Sequence, residues 1–530
     1  MSLVGAVLFI FLFGWLVERD FSKLEAEIRA KGEPATLAEL DEYYPQVDDE
    51  ENGALVYMEA FKLLSDLEDA GACDGEDLTL MTSLLGDDYT LETLAQAHVY
   101  LDERESVFTV AAGALDYTTF RYPVDLSVYD GTGGRAFPHS GLRNFERLLC
   151  LQGVVAVHEK DWDSFSHSQF QMLHMANSLS GIPGTVAVIR VGILRRALQV
   201  MRRAIVTDET PPSVLKELAV GYTSIDFANC FRDLIIGARV RERRFLEHYY
   251  RGELELKDFM EPIVPTYARC YRNLRFCPGV PSLGRRHILQ RMQHYTEILS
   301  EHNMSWPERY AKAAQRQPFV QKGGHMTGTP LHPNLPWKED VINHIAGRLT
   351  RLDSDFWWER RTYLPDRTFS YAPLSSRDLL TLLAYPDSHP PPHYIGFPPF
   401  DLEDYTDDFI GFEARLRCVR LAMLIEIYRQ ERGVLPKTLD ALDVDLVAAV
   451  GGDPFTGTPL GYRVVEGGFT LYSVGEDLVD DGGDTGGGET RDLVMVFVED
   501  TRVIPEKDPA VIRDVKEESS GGRRKSRAIK

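Results

Sequence analysis

Apolar residues recur at spacings of three and four along nearly the whole stretch from Pro45 to Leu383, and this helical period constrains the chain more than any other feature. Leu142, Phe145, Leu149 and the Val154–Val157 cluster form one stripe, and Trp162, Phe165, Phe170, Leu173 and Met175 form the next. Val186 to Ile205, Phe231 to Tyr250, Arg285 to Glu301 and Lys338 to Arg360 continue the series. Strict alternation is missing from this stretch, so the spacing predicts helices joined by short Pro/Gly turns and stacked as antiparallel hairpins. No ankyrin or tetratricopeptide signature recurs. A chain of 530 residues exceeds what one core supports. Pro386 to Phe400 (PDSHPPPHYIGFPPF) carries six prolines and reads as a semi-rigid spacer. The expected division is residues 1–20, a membrane anchor; 21–385, a helical body; 386–404, the linker; 405–500, a small α+β module; and 501–530, a disordered tail.

The N-terminus suggests a location. Leu3 to Val17 is free of charge and is ended by Glu18, Arg19 and Asp20. As a helix the run reaches roughly 20 Å, against a hydrocarbon core of about 30 Å. No small-x-small cleavage site follows it, and a charged helix to Lys31 continues instead. The expectation is an uncleaved single-pass anchor in a bacterial inner membrane, with the bulk of the chain outside the cytoplasm. Short apolar start and missing basic flank are its two irregularities.

Charge bears on partners. The formal charge of −23 argues against nucleic acid. Residues 401–500 hold 22 acids against 8 bases, whereas 232–291 hold 13 bases against 7 acids. The basic stretch is expected to be the solvated face of helices, so the partners predicted are the membrane and other proteins. The six cysteines form no CxxC, and buried free thiols are the expected state, with a Cys270–Cys277 pair as the alternative.

Catalytic signatures are sparse. HExxH, GxSxG, a Walker loop and a GxGxxG after a strand do not occur, and GTGG at 131–134 follows no apolar strand. His167 and His174, like His287 and His294, are seven apart, about 10 Å along a helix and too far for one ion. One enzymatic alternative stays open: a glycan-active α/α toroid using paired carboxylates. Its candidates are Asp161 and Asp163 beside Trp162, or Asp353 and Asp355 beside Trp357 and Trp358, which read equally well as helix caps.

The order of elements after Asp408 is more specific. A helix striped by Phe412, Leu416, Val419, Met423 and Ile427 ends at Gly433 and Pro436. A second helix is expected from Thr438, then a DPFTG turn (Asp453–Gly457) and the strands LGYRVV, GFTLYSV and LVMVFV, the last two separated by GEDLVDDGGDTGGGETRD. Tyr428, Gly433, Pro436, Leu439, Asp453, Pro454, Gly457, Pro459, Tyr462, Tyr472, Ser473, Gly475, Asp477, Gly482, Gly483 and Asp492 make this segment similar to the globular domain of the type II secretion major pseudopilin. The whole layout loosely resembles membrane-anchored proteins of planctomycete-type bacteria. The pseudopilin resemblance implies a mainly α protein ending in an α+β module, a link to secretion, and a structural calcium ion in the acidic loop. By family position Asp477 and Asp492 are the ligands, with Asp480, Asp481 and Asp484 as further candidates. Carboxylates confined this closely repel one another, and an oxygen-seeking dication is their natural counter-ion. The pilin processing site and its Gly-Phe-Thr-Leu-Ile-Glu pattern are missing, which argues against a filament subunit.

Overall fold

A computed structural model describes residues 3–67, 80, 90–127, 137–182, 186–207, 209–251, 280–316, 402–483 and 492–498. The chain divides into two units. The first comprises Met1–Glu255, Cys270–Tyr310 and Pro399–Lys530; the second comprises Leu256–Arg269 and Ala311–Pro398, nearly all of it outside the described residues. The linker as far as Asp401, the Lys338–Arg360 helix and the tail also lie outside them.

The first unit is mainly helical and carries a small antiparallel sheet near its C-terminus, as the periodicity predicts. Its helices are α1 (Leu3–Ala30), α2 (Leu37–Tyr43), α3 (Gly53–Leu67), α4 (Leu91–Asp102), α5 (Glu105–Ala112), α6 (His139–Glu159), α7 (Trp162–Ser178), α8 (Val186–Val206), α9 (Pro212–Thr223), α10 (Phe227–Arg251), α11 (Val280–Ser300), α12 (Trp306–Arg316), α13 (Leu402–Arg432) and α14 (Val444–Val450). Local chemistry explains the boundaries. Thr36 caps α2 by accepting from the Glu39 N–H at 3.3 Å. Lys160, at φ 58°, ends α6, and Asp161 then accepts from the Ser164 N–H at 3.1 Å to start α7. The two helices fold back on each other and bury Leu142, Phe145, Leu149, Phe165 and Met175. Cys150, Cys230 and Cys418 are buried free thiols, each pushed up to about 12 mainly by burial.

Two expectations need correction. No helix among the described residues is long and apolar enough to cross a membrane, which overturns the single-pass anchor, the membrane as partner, and the location built on them. The apolar run occupies only the first part of α1, and the same helix continues through Glu18, Arg19 and Asp20. That continuation packs against protein. Val17, Phe21, Leu24 and Ile28 are buried, and the Arg285 guanidinium stacks 3.3 Å from the Phe21 ring centre. Gly14 faces Ser282, whose Oγ would stand 2.9 Å from an added Cβ.

The second correction concerns the basic stretch, where Arg239 is buried and the other described arginines are half-buried and not a solvated face. Arg239 is fully buried, pairs with buried Glu33 at 2.9 Å and donates to the Pro34 carbonyl at 3.2 Å. Arg243 joins Glu25 at 2.6 Å and the Ala35 carbonyl at 2.7 Å. Arg291 holds Glu242 at 2.6 Å. These cations clamp α10 to α11 and to the corner between α1 and α2.

The sheet runs β1 (Gly461–Val465), β2 (Gly468–Ser473), β3 (Leu493–Val498) in that order, all antiparallel, with Gly461 opposite Tyr472 and Ser473 opposite Leu493. Its residues match the three predicted strands closely. Phe412, Leu416, Val419 and Met423 of α13 are fully buried. One side of that helix meets β2 and β3, and the rest meets α8, α9 and α10, so body and module share one core. Gly433, at φ 72°, donates to the Arg429 carbonyl at 2.7 Å and closes α13. The helix expected from Thr438 is a short 3-10 turn at Leu439–Ala441, and α14 starts only where Asp443 caps it.

Candidate functional site

The acidic loop between β2 and β3 is positioned by a buried carboxylate from outside it. Asp453, in the DPFTG turn, accepts from the Phe455 N–H at 2.8 Å, from the Ser473 hydroxyl at 2.9 Å and from the Val474 N–H at 2.9 Å. The Ser473 oxygen in turn accepts from the Gly475 N–H at 3.3 Å. A turn and the exit of β2 are thereby tied through one side chain that is itself 1% exposed.

Beyond Gly475 the loop folds on its own carboxylates. Asp477 accepts from the Val479 N–H at 3.1 Å, and Asp480 from the Gly482 N–H at 2.8 Å. Asp492 is nearly buried and accepts from the Gly483 N–H at 2.8 Å and the Asp481 N–H at 3.5 Å. The Asp481 side chain is exposed. Asp484 lies outside the described residues.

Tyr472, which the sequence marks as a matching position without a role, organises the loop. Its ring lies so close to Gly461 and Gly483 that a Cβ on either would overlap it, at 2.1 Å and 2.4 Å. Gly483 also has φ 64°, so glycine is required there twice over. The phenol is raised by partial burial, by its hydrogen bond with Asp480 and by the charges of Asp480 and Asp492, against which Arg463 acts. Arg463 also donates to the Gly483 carbonyl at 3.3 Å. The entrance of the loop is held from α12, where the Tyr310 hydroxyl donates to the Glu476 carbonyl and its ring meets Phe455 edge-on at 5.0 Å. A residue so distant in sequence leaves no local signal of that contact.

The chemistry of the loop is therefore oxygen-rich and negative, with Arg463 as the nearby cation acting on Tyr472. Among the described residues no three Asp, Glu, His or Cys side chains gather as a metal-holding group. Asp480 and Asp492 both act on the Tyr472 phenol, and both are hard oxygen donors.

No protein-family model, curated protein or solved structure matches the chain. Its function has to be read from its own residues.

Of the paired-carboxylate candidates, Asp161 and Asp163 alone lie among the described residues. Asp161 serves as the cap of α7, and Trp162 packs edge-on against Phe165 at 6.0 Å. Asp353, Asp355, Trp357 and Trp358 lie outside the described residues. His174 is a core histidine, held by the Tyr57 hydroxyl at 2.8 Å and the Tyr117 carbonyl at 3.0 Å, and burial lowers its pKa. A cavity of about 320 Å³ opens where α8, α13 and the β1–β2 turn meet. Its walls include Phe469, Phe497, Val465 and Leu435, and its carboxylate, Glu426, is neutralised by two hydrogen bonds from Arg429 at 2.8 Å and 2.7 Å. That is a guanidinium–carboxylate pair, not the two facing acids that glycoside hydrolysis uses.

Proposed function

We propose that this protein is an interaction or scaffold protein in which a pseudopilin-like module is mounted on a helical body, and that calcium is the structural ligand of the module's acidic loop. The observation that carries this reading is the Asp453 tie. The turn aspartate and the strand-end serine that make the segment resemble a pseudopilin meet at 2.9 Å and orient the loop bearing the candidate ligands. Tyr472, Gly483 and Asp492, matched by the same resemblance, meet in the loop as well. Asp477 and Asp492 are the first ligands by their position in the resemblance, and both carboxylates accept from backbone N–H groups of the loop. Asp480 would add oxygens from the same loop, and Asp481 and Asp484 are the further candidates by sequence position. Calcium would neutralise the repulsion among these acids and stabilise the closed loop, so its removal should lower stability and not a turnover rate. The resemblance also suggests that the role is connected with secretion.

The test is calorimetric titration of calcium into the full chain, with melting curves in calcium and in chelator. Saturable binding is expected, with a melting temperature raised by about 1 °C, as for a stabilisation of about 1 kcal/mol in a chain of this size. Asp477→Ala should remove both effects. Asp492→Ala should in addition melt lower in chelator, because it leaves the Gly483 N–H without its acceptor. Absence of binding, together with equal melting in chelator, would remove calcium from the account.

A further inference from the structure

The last strand delivers the chain to the wall of a cavity and then leaves the sheet. Phe497 lines the cavity together with Ile205, Val206, Leu435, Val465 and Phe469. The adjoining Val498 lies against the β1–β2 turn, where its methyl carbon would stand 3.3 Å from a Cβ on Gly467. Pairing stops there, because Val498 is already opposite Gly468, the first residue of β2. Beyond Val498 the chain lies outside the described residues and reads Glu499, Asp500, Thr501, Arg502, Val503, Ile504, Pro505. Val503–Ile504 is the first apolar pair after the strand, with Glu499, Asp500 and Arg502 before it and Glu506, Lys507 and Asp508 after it.

We infer that Val503 and Ile504 fold back into this cavity and plug it, so that the C-terminal segment straps the sheet to α8 and α13. Reach permits it, since the pair follows Val498 by five and six residues, a span of at most about 20 Å, and the cavity begins at Phe497 itself. Tethering selects this occupant over a free one. A short linker holds its end at an effective concentration in the millimolar range, which a separate molecule of the same chemistry has to match. The walls suit the pair. Val206, Leu435 and Val465 are only half-buried and gain from an aliphatic neighbour. The wall carboxylate, Glu426, is already paired with Arg429, so an uncharged side chain meets no uncompensated acid there. Its Oε1 accepts from Arg429 at 2.7 Å and from Gln430 at 2.6 Å, and its Oε2 from Arg429 at 2.8 Å. Each carboxylate oxygen has two lone pairs, which leaves Oε2 one acceptor position for a backbone N–H of the segment. A second apolar pair, Val511–Ile512, stands eight residues further on, where the longer tether lowers its effective concentration. The acidic loop plays no part in this inference, and it can fail while the calcium reading stands.

Thiol protection in the full chain tests the plug. Iodoacetamide should alkylate Ile504→Cys roughly tenfold more slowly than Ile512→Cys, read on the modified peptide by mass spectrometry so that native thiols do not interfere. Leu435→Trp and Val206→Trp each fill the cavity from one wall. Either should bring Ile504→Cys to the rate of Ile512→Cys while the melt stays cooperative. Ile504→Asp should lower the melting temperature, and Ile512→Asp should not. Equal alkylation of Ile504→Cys and Ile512→Cys without a tryptophan substitution would overturn the proposal. Slow alkylation that persists in both tryptophan variants would seat the segment elsewhere and overturn it as well. Slower reaction of Ile512→Cys would give the cavity to the second pair and overturn the choice of Val503 and Ile504.

Discussion

Asp233 shows how a single buried acid can set a pH dependence. It is 7% exposed and accepts from the Gly181 N–H at 2.9 Å, and burial pushes its carboxyl up to about 6 from an ordinary 3.8. Arg190 and Arg232 act in the opposite direction without cancelling the desolvation. Because the folded pKa is raised, the folded chain holds a proton that the unfolded chain has released between about pH 4 and pH 6. The contribution of this residue is therefore most favourable below pH 4 and is lost as pH rises through about 6, by up to about 3 kcal/mol. Asp233→Asn keeps an acceptor for Gly181 and removes the ionisation. Denaturant melts at pH 4.5 and 7.5 should show the variant more stable than the parent at 7.5, with the gap narrowing at 4.5. An equal gap at both values would mean that Asp233 titrates normally.

At the scale of elements, α10 is the brace of the first unit. Its Arg239 reaches the Glu33 carboxylate, the Pro34 carbonyl and the Thr296 hydroxyl, and so joins the α1–α2 corner to α11. Burial lowers the Arg239 pKa and the Glu33 charge opposes the shift, as expected of an ion pair that exchanges hydration for a fixed partner. Arg239→Met should cost about 3 kcal/mol, because buried Glu33 would keep only the half-buried Arg232, at 3.7 Å, as its ionic partner. Combining it with Glu33→Gln should recover most of the loss. A double-mutant cycle in urea measures this, and a single mutant costing under about 1 kcal/mol would show that Arg232 suffices to compensate Glu33.

For the whole molecule, the shared helix matters most. Phe409 and Phe412 of α13 stack on Phe227 of α10 at 5.1 Å and 4.9 Å, and Arg420 donates to the Tyr222 carbonyl of α9. Gln430 reaches the Thr210 carbonyl at 2.9 Å, and Lys216 reaches Glu431 at 2.7 Å. A fragment covering residues 402–498 would expose this entire side of α13 to water. Its removal from the body should abolish cooperative folding, seen as aggregation or a broad, featureless melt. A monomeric fragment with a sharp melting transition would show that sheet and helix suffice by themselves.

Much of this was legible in the residues. The stripes of α6, α7, α8 and α13, the cap at Thr36, the closing glycine at 433 and the three strands all follow from local periodicity and backbone preference, which a chain carries wherever it folds. The acids of the candidate site were equally visible, but their use was not. Asp492 answers to backbone N–H groups across the loop, and Tyr472 lies against a glycine of another strand. The arginines of α10 looked like a solvated face because periodicity records which side of a helix is polar and not what stands opposite it. Arg239 and Pro34 are 205 residues apart, and only packing brings them together. The same limit applied at the N-terminus, where a charge-free run of fifteen residues looks alike whether it crosses a bilayer or opens a helix whose later turns pack on protein. Sequence by itself determined the elements and their apolar faces, since those depend on neighbours three or four residues away. Tertiary structure alone decided which face met which, because burial, pairing and desolvation act between groups that the chain keeps far apart.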